Sequence, residues 1–253
     1  MPAEQVLIPP LAGFTVGITS GRHRYELTSA LERFGARVIA GPAVRVAPLA
    51  DVIEVAAFSW QPPDDPAPVR KLIELTAVHG VDAVSFTSTA AARSFQHLAR
   101  DAGLGEEIRT AFRGPVVAAC VGPVTAGVFV RAGVPVVTPR HPRVSALAAE
   151  IAAVLSQTRV TTVHAAGHRL ELRGHGAVVD DTFVALAGTP MALLRELAGR
   201  PGRVLSRDDL LRRMPGDRTD RHAVEVAIGR LRSALGDPAL IATVMKRGYR
   251  LAV

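Results

Sequence analysis

The sequence predicts a chain in two parts. The first is an α/β part built on a parallel sheet. The second is smaller, with short antiparallel strands and helices, and closes on a helix pair and a β-hairpin. Three observations predict this. Between residues 14 and 155, short apolar runs of strand length alternate with amphipathic stretches of helix length, the pattern of a doubly wound sheet with helices on both faces. After residue 159 the apolar runs shorten and alternate, then give way to helical spacing. The charge also shifts: of a net +7 over 253 residues, the part from Arg159 onward holds 16 Lys+Arg against 10 Asp+Glu, and the part before it 14 against 13. A basic C-terminal part suits a nucleic-acid partner.

The elements follow in order. Residues 1–13 read as a lead-in. Phe14–Thr19 is a buried strand, Tyr25–Phe34 a helix with Leu27, Leu31 and Phe34 inward, and Gly35 its stop. Arg37–Val46 is a second strand, and this strand–helix–strand unit implies a parallel pair with a right-handed crossover. Asp51–Trp60 alternates as an extended segment, and 61–68 (QPPDDPAP) is a turn. Val69–His79 is a helix ended by Gly80, Asp82–Thr87 a buried strand, and Ala90–Ala102 a helix capped by Ser88 or Thr89. Val116–Val121 is a strand, Gly122-Pro123-Val124-Thr125 opens a helix stopped by Gly133, Val134–Thr138 is a strand and Val144–Leu155 a helix. Residues 156–159 (SQTR) read as a linker, giving domains of 1–155 and 159–253. Arg169–Arg173 and Val178–Leu186 are short strands. Thr189 caps a helix to Leu197 with Pro190 in its first turn.

From Ser206 a short helix, a turn and a longer helix lead into a basic hairpin. In the longer helix Val224, Ile228, Leu231 and Leu235 form one apolar stripe, Thr219 or Asp220 caps the start, and Gly236 lies past the end. His222, Glu225, Gly229, Arg230 and Arg232 point away from the stripe. The hairpin Ile241–Val244/Tyr249–Val253 carries Met245, Lys246, Arg247 and Gly248 at its tip. A helix buried on one side with Arg and His on the other suits a DNA major groove, and a cationic tip suits a phosphate backbone.

Composition excludes several classes. The chain is 48% hydrophobic without low-complexity tracts, hence globular. Its apolar runs are too short and broken to span a bilayer, and no leader-like pattern opens it, so it is expected to be cytoplasmic. The single cysteine, Cys120, excludes an internal disulfide, and its setting (VVAACV) marks a core thiol rather than a nucleophile. The eight histidines are scattered without metal-ligand spacing, so neither metal nor cofactor is expected.

Three loops fall at the carboxyl ends of the predicted strands: Thr19-Ser20-Gly21-Arg22, Thr87-Ser88-Thr89 and Gly122-Pro123-Val124-Thr125. In open α/β sheets ligands bind in that crevice, and helix N-termini with small hydroxyl residues favour carboxylates or phosphates. Thr19, Ser20, Arg22, Thr87, Ser88, Thr89, Gly122, Pro123 and Thr125 are therefore candidates for an anionic ligand. Ser and Thr are equally the ordinary helix caps, so each loop also has a purely structural reading.

Two resemblances accompany these readings. RPGRVLSRDDLL, AVEVAIGRLRSALGD and IATVMKRGYRL resemble the OmpR-type winged-helix domain of bacterial transcription regulators, over roughly Thr158 to Val253. The resemblance implies double-stranded DNA as partner and a homodimer on DNA. It places base-reading positions at Ala223, Glu225, Val226 and Arg230, with Arg230 suited to guanine and Glu225 to a cytosine amino group. Phosphate-contact positions fall at His222 and Arg232, with Arg207, Lys246, Arg247 and Arg250 as further cations; two other phosphate positions of the family are occupied by Ala227 and Gly229. LAGFTVGITSGR…LTSALERFGARVIAGPAVRVAP, VDAVSFTSTAAARSF and VAACVGPVTAGVFVRAGVPVVTP resemble uroporphyrinogen-III synthase, a cofactor-free, two-lobed lyase of tetrapyrrole biosynthesis that cyclises hydroxymethylbilane. The family would carry a second lobe between Pro48 and Val52, and this chain does not.

The expected fold is thus a single flavodoxin-like parallel sheet with helices on both faces, followed by a winged helix-turn-helix domain with small antiparallel sheets. The resemblance implies a regulator with a degenerate synthase-like sensor or docking domain, of a kind associated with nitrogen or nitrate metabolism, taking a small anionic or tetrapyrrole-like ligand. The alternative is an active synthase carrying a DNA-binding domain. A receiver domain is not expected, because the first and third strands end in Thr19-Ser20 and Thr87-Ser88 where a phosphoacceptor would need aspartate.

Overall fold

The computed structural model describes residues 8–48, 58–61, 63–186, 188–214 and 220–253. These divide into two compact units, Pro9–Thr158 and a second of Ile8 with Arg159–Val253.

The first unit is built on β1 (Thr15–Ile18), β2 (Arg37–Ala40), β5 (Ala83–Phe86), β6 (Val117–Cys120) and β7 (Val136–Val137). They form one sheet in the order β2-β1-β5-β6-β7, parallel throughout. This is the flavodoxin-like order. A pair β3 (Arg45–Pro48) and β4 (Phe58–Gln61) runs antiparallel beside it in sequence. The helices are α1 (Arg24–Arg33), α2 (Ala67–Ala77), α3 (Thr89–Asp101), α4 (Gly105–Arg113), α5 (Pro123–Val130) and α6 (Val144–Thr158). Central strands buried on both faces carry near-continuous apolar runs, and β1, β5 and β6 are buried throughout. Val84, Phe86, Ala118 and Cys120 share one core with α2–α5; α1 pairs with α6. Phe86 packs against Phe95, Phe112 and Phe129 with ring centroids 4.6–6.2 Å apart, within the range of favourable aromatic pairing.

The structure corrects the expected elements at several points. The strand expected over Arg37–Val46 is two strands. The break falls at Gly41, where an added Cβ would lie 2.8 Å from both Leu72 Cβ and the Pro68 carbonyl oxygen, so the approach of α2 decides the residue. Of the extended segment expected over Asp51–Trp60, Phe58–Trp60 lies in β4, and 51–57 lie outside the described residues. Helix α4 was not expected, although its inward Ile108, Ala111 and Phe112 follow helical spacing. Of the expected linker 156–159, residues 156–158 are instead the last turn of α6. The Ser156 and Thr158 hydroxyls donate to the Ala152 and Val154 carbonyls, both at 2.7 Å, and let polar residues continue the helix.

The second unit opens with a four-stranded antiparallel meander, β8 (Thr161–Ala165), β9 (His168–Arg173), β10 (Gly176–Val179) and β11 (Thr182–Ala185), in the order β11-β10-β9-β8. Strand β8 was not expected, and the single strand expected over Val178–Leu186 is two, turned by Asp180 at φ 50°. Then come α7 (Thr189–Ala198), α8 (Arg207–Leu211) and α9 (Arg221–Leu235), a 3-10 turn at Pro238–Leu240, and the hairpin β12 (Ile241–Val244) and β13 (Gly248–Leu251). Helix α7 starts at Thr189 itself. Its N-cap is Gly188, so Thr189 is not the cap. The stripe Val224, Ile228, Leu231 and Leu235 is buried in one core with Leu193, Leu194, Leu197, Leu210, Tyr249 and Leu251. Among the described residues no helix is long and apolar enough to cross a membrane, and no group of His, Cys, Asp and Glu could hold a metal ion.

Candidate functional site

Helix α8 is set by a reciprocal capping box. Ser206 Oγ accepts from Asp209 N–H at 3.1 Å, and Asp209 Oδ2 accepts from Ser206 N–H at 3.2 Å and from the Ser206 hydroxyl at 2.7 Å. Such a box satisfies two otherwise orphaned donors, and these bonds hold the Asp209 carboxyl below its ordinary value. Helix α9 begins at Asp220, whose Oδ1 accepts from His222 N–H at 2.8 Å, and ends at Gly236 in the left-handed region at φ 83°. Thr219, the other cap expected, lies outside the described residues.

With its stripe buried, α9 turns His222, Glu225, Val226, Gly229 and Arg230 to solvent, with Ala223 half-buried. Ala227 is buried in the core, so this position faces inward rather than toward a phosphate. Glu225 is engaged by its neighbours. Its Oε1 lies 2.9 Å from Arg207 Nε and its Oε2 3.5 Å from His222 Nδ1. Arg232 is used inside the unit: Nε donates to the Ile241 carbonyl at 3.0 Å and Nη2 to Thr243 Oγ1 at 2.9 Å. Arg207 and Arg232 both face the ring of buried Tyr249, at 5.5 and 5.8 Å from its centroid, within cation–π distance. Tyr249 thereby joins α8, α9 and the hairpin. Sequence reasoning misses this role of Tyr249, because its two partners reach it only through the fold.

The hairpin tip holds Met245, Lys246 and Arg247, all exposed, with Lys246 at φ 60°. Arg250 is exposed on β13. Leu205 pairs with Tyr249 through bonds of 2.8 and 3.0 Å and adds a third strand segment. Exposed on α9 are therefore His222, Val226 and Arg230, and exposed on the hairpin are Lys246, Arg247 and Arg250. Arg207, Glu225 and Arg232 are engaged by bonds within the unit.

In the first unit Ser20, Arg22, Thr87 and Ser88 line one cavity of about 170 Å³, with Gly21, His23, Val44 and Ala91. His23 is an addition to the residues expected there. Ser20 Oγ accepts from His23 N–H and Ser88 Oγ from Ala91 N–H, each at 3.1 Å; the second of these bonds caps α3, and the first closes the turn before α1. Thr19 does not reach the cavity; it is buried and donates to the Ser85 carbonyl at 2.8 Å across the sheet. Thr89 is the first residue of α3 and is not in the lining. Gly122, Pro123 and Thr125 open α5 and stand apart from it, with Thr125 buried. Cys120 is buried, and desolvation pushes its thiol up to about 12, as for an unreactive core thiol.

Two family models match separate parts of the chain. Residues 181–251 match that of "Transcriptional regulatory protein, C terminal", and residues 47–149 that of "Uroporphyrinogen-III synthase HemD". The latter begins after the stretch 11–46 on which part of the resemblance rests. No curated protein matches the chain. Among solved structures, the Klebsiella pneumoniae RstA DNA-binding domain in complex with the RstA box is 31% identical over 36% of this chain and 97% of that one, with a TM-score of 0.31. The DNA-binding domain of E. coli CadC is 33% identical over 31% and 79%, TM-score 0.29. Thermus thermophilus uroporphyrinogen III synthase is 12% identical over 57% and 98%, TM-score 0.49. The chain is a fusion of a HemD-like α/β domain with an OmpR-type DNA-binding domain.

Proposed function

We propose that this chain is a sequence-specific, DNA-binding transcription regulator, with α9 as the reading helix and the β12–β13 tip as a phosphate-contacting wing. The observation that carries this is the face of α9. Four apolar side chains are buried at helical spacing, while His222, Val226 and Arg230 stay exposed, as do Lys246 and Arg247 at the cationic tip. Arg230 reads a base and Lys246 and Arg247 meet phosphates. Glu225, already held by Arg207 and His222, orders the start of the reading face. A homodimer on repeated half-sites follows from this docking mode.

The α/β domain acts as the sensor or docking domain, in keeping with the resemblance to regulators of nitrogen or nitrate metabolism. Its ligand is a small anion or a tetrapyrrole carboxylate held at Ser20, Arg22, Thr87 and Ser88, where Arg22 supplies charge and the α3 N-terminus supplies N–H donors. A second reading, retained synthase activity, is favoured by the match over 47–149. Against it stands the chemistry: positioning a flexible linear tetrapyrrole takes groups from both sides, and the described α/β unit has one parallel sheet.

The test is selection of genomic DNA fragments by the purified chain at near-physiological salt with excess nonspecific competitor. An enriched motif supports the regulator. Salt-labile binding without enrichment would overturn it.

A further inference from the structure

His168 opens β9, and both of its ring nitrogens meet carboxylates: Nδ1 lies 2.7 Å from Asp180 Oδ2, and Nε2 3.0 Å from Asp237 Oδ2. A neutral imidazole carries one N–H, so both bonds require the imidazolium. Neither carboxylate is a loose surface group. Asp180, in the β10–β11 turn, gives its other oxygen to Arg169 N–H at 2.9 Å. Asp237 gives its other oxygen to Ala239 N–H at 2.8 Å and so caps the 3-10 turn. Asp237 directly follows Gly236, which ends α9, and that turn runs straight into β12. The imidazolium therefore bridges the meander to the joint between the reading helix and the wing, across 69 residues of sequence.

We propose that His168 is a positioning residue for DNA binding: its imidazolium clamps the α9–β12 joint to the meander, and loss of its proton releases the joint and weakens the grip of the wing. This rests on the DNA-binding reading above. The groups facing the ring account for its state. Asp180 comes from the β10–β11 turn and Asp237 from the α9–β12 joint. On β8 the register partner is apolar Ala165. On β9 itself Arg169 directs its guanidinium to Glu171.

Hydrogen bonds first from Asp180 and then from Asp237 raise the His168 pKa above its ordinary 6.5. Both carboxyls are lowered below their ordinary 3.8, Asp180 chiefly by His168 and Asp237 chiefly by the Ala239 N–H. A raised histidine contributes stability that is complete below its unfolded value and is lost as pH rises through the folded one. The lowered carboxylates contribute above their unfolded values and lose that contribution as pH falls through the folded ones. The clamp is therefore whole between roughly pH 4 and 6.5 and opens on the alkaline side.

The experiment uses the full chain in a His222→Gln background, because His222 also lies on the DNA face. Imidazole nitrogen resonances of His168 are followed against pH, with affinity for the selected DNA at constant ionic strength and the unfolding midpoint. The expected result is a doubly protonated His168 persisting above the ordinary histidine range. Affinity then falls roughly threefold or more as that proton leaves, and the fall is flattened in His168→Gln and in Asp237→Asn. An ordinary titration of His168, or an undiminished pH slope in both variants, overturns the proposal. If His168 titrates high and the variants flatten the unfolding profile while no DNA is bound specifically at any pH, even by the chain that keeps His222, the DNA-binding reading has failed and the clamp has not.

Discussion

On the proposed function, Arg230 and Lys246 would separate reading from holding at the level of single side chains. Arg230 is exposed on α9 among residues that a groove would meet, whereas Lys246 sits at a turn tip in the left-handed region. Arg230→Ala is expected to cost about 1–3 kcal/mol on the selected sequence and to relax preference at one base pair. Lys246→Ala should weaken all sequences alike and lower the salt slope by about one unit. Binding titrations on cognate and random duplexes at several salt concentrations decide this, and equal losses on both duplexes for Arg230→Ala remove it from the reading set. The roles of Arg207 and Arg232 were not legible in the sequence. Helical spacing shows that a side chain leaves the apolar stripe, but not that Tyr249, some 17 to 42 positions away, waits to receive it. The His168 clamp was hidden for the same reason, since its partners come together only through the fold. Cys120 was legible because its neighbours are all apolar, and burial follows from that. With its thiol pushed up to about 12, it should resist a thiol reagent in the native chain and react on unfolding.

Two glycines show how elements impose opposite demands. Gly229 lies mid-α9 on the exposed face, and an added Cβ would meet nothing within 4 Å. Replacing it with alanine should therefore stabilise the unit by about 0.5–1 kcal/mol, because the unfolded chain loses freedom and the helix gains propensity. Gly248 lies at φ 135°, and an added Cβ would sit 2.0 Å from the Leu205 carbonyl oxygen, in the very pairing that adds Leu205 to the hairpin. Gly248→Ala should cost more than the 1–3 kcal/mol of backbone strain alone. Chemical denaturation of both variants checks the pair; a destabilised Gly229→Ala would mean that the α9 backbone is not relaxed there. Element types were largely readable: apolar runs marked the buried strands, and Ser88, Asp220 and Gly236 marked helix ends. The misses share a cause. At Gly41, at Asp180 and in the last turn of α6 the outcome depends on tertiary approach or side-chain back-bonding, which local spacing does not encode.

At the scale of the whole molecule, the two units carry different chemistry on one chain, and the question is which of them the cell uses. The α/β unit keeps a small polar cavity at the carboxyl ends of β1 and β5, but two of its hydroxyls already accept backbone N–H groups, Ser20 from His23 and Ser88 from Ala91. What remains is Arg22, the His23 imidazole, the Thr87 hydroxyl and the N–H groups of a helix start. That set can hold one anionic group, not orient a long chain of carboxylates while two ends are joined. Hydroxymethylbilane should accordingly yield no rearranged cyclic product above the uncatalysed background. A small polycarboxylate should nonetheless bind, with Arg22→Gln reducing its affinity by several-fold through loss of a charged donor. Product analysis and calorimetric titration on the intact chain answer both parts. If turnover is seen, the one-sided crevice is completed by another copy of the chain or by a partner, and the rate should then depend on protein concentration more steeply than first order. If neither turnover nor binding is seen, the crevice is scaffolding and the α/β unit serves as a docking surface. DNA occupancy would then be controlled by whatever docks there and by the protonation of His168.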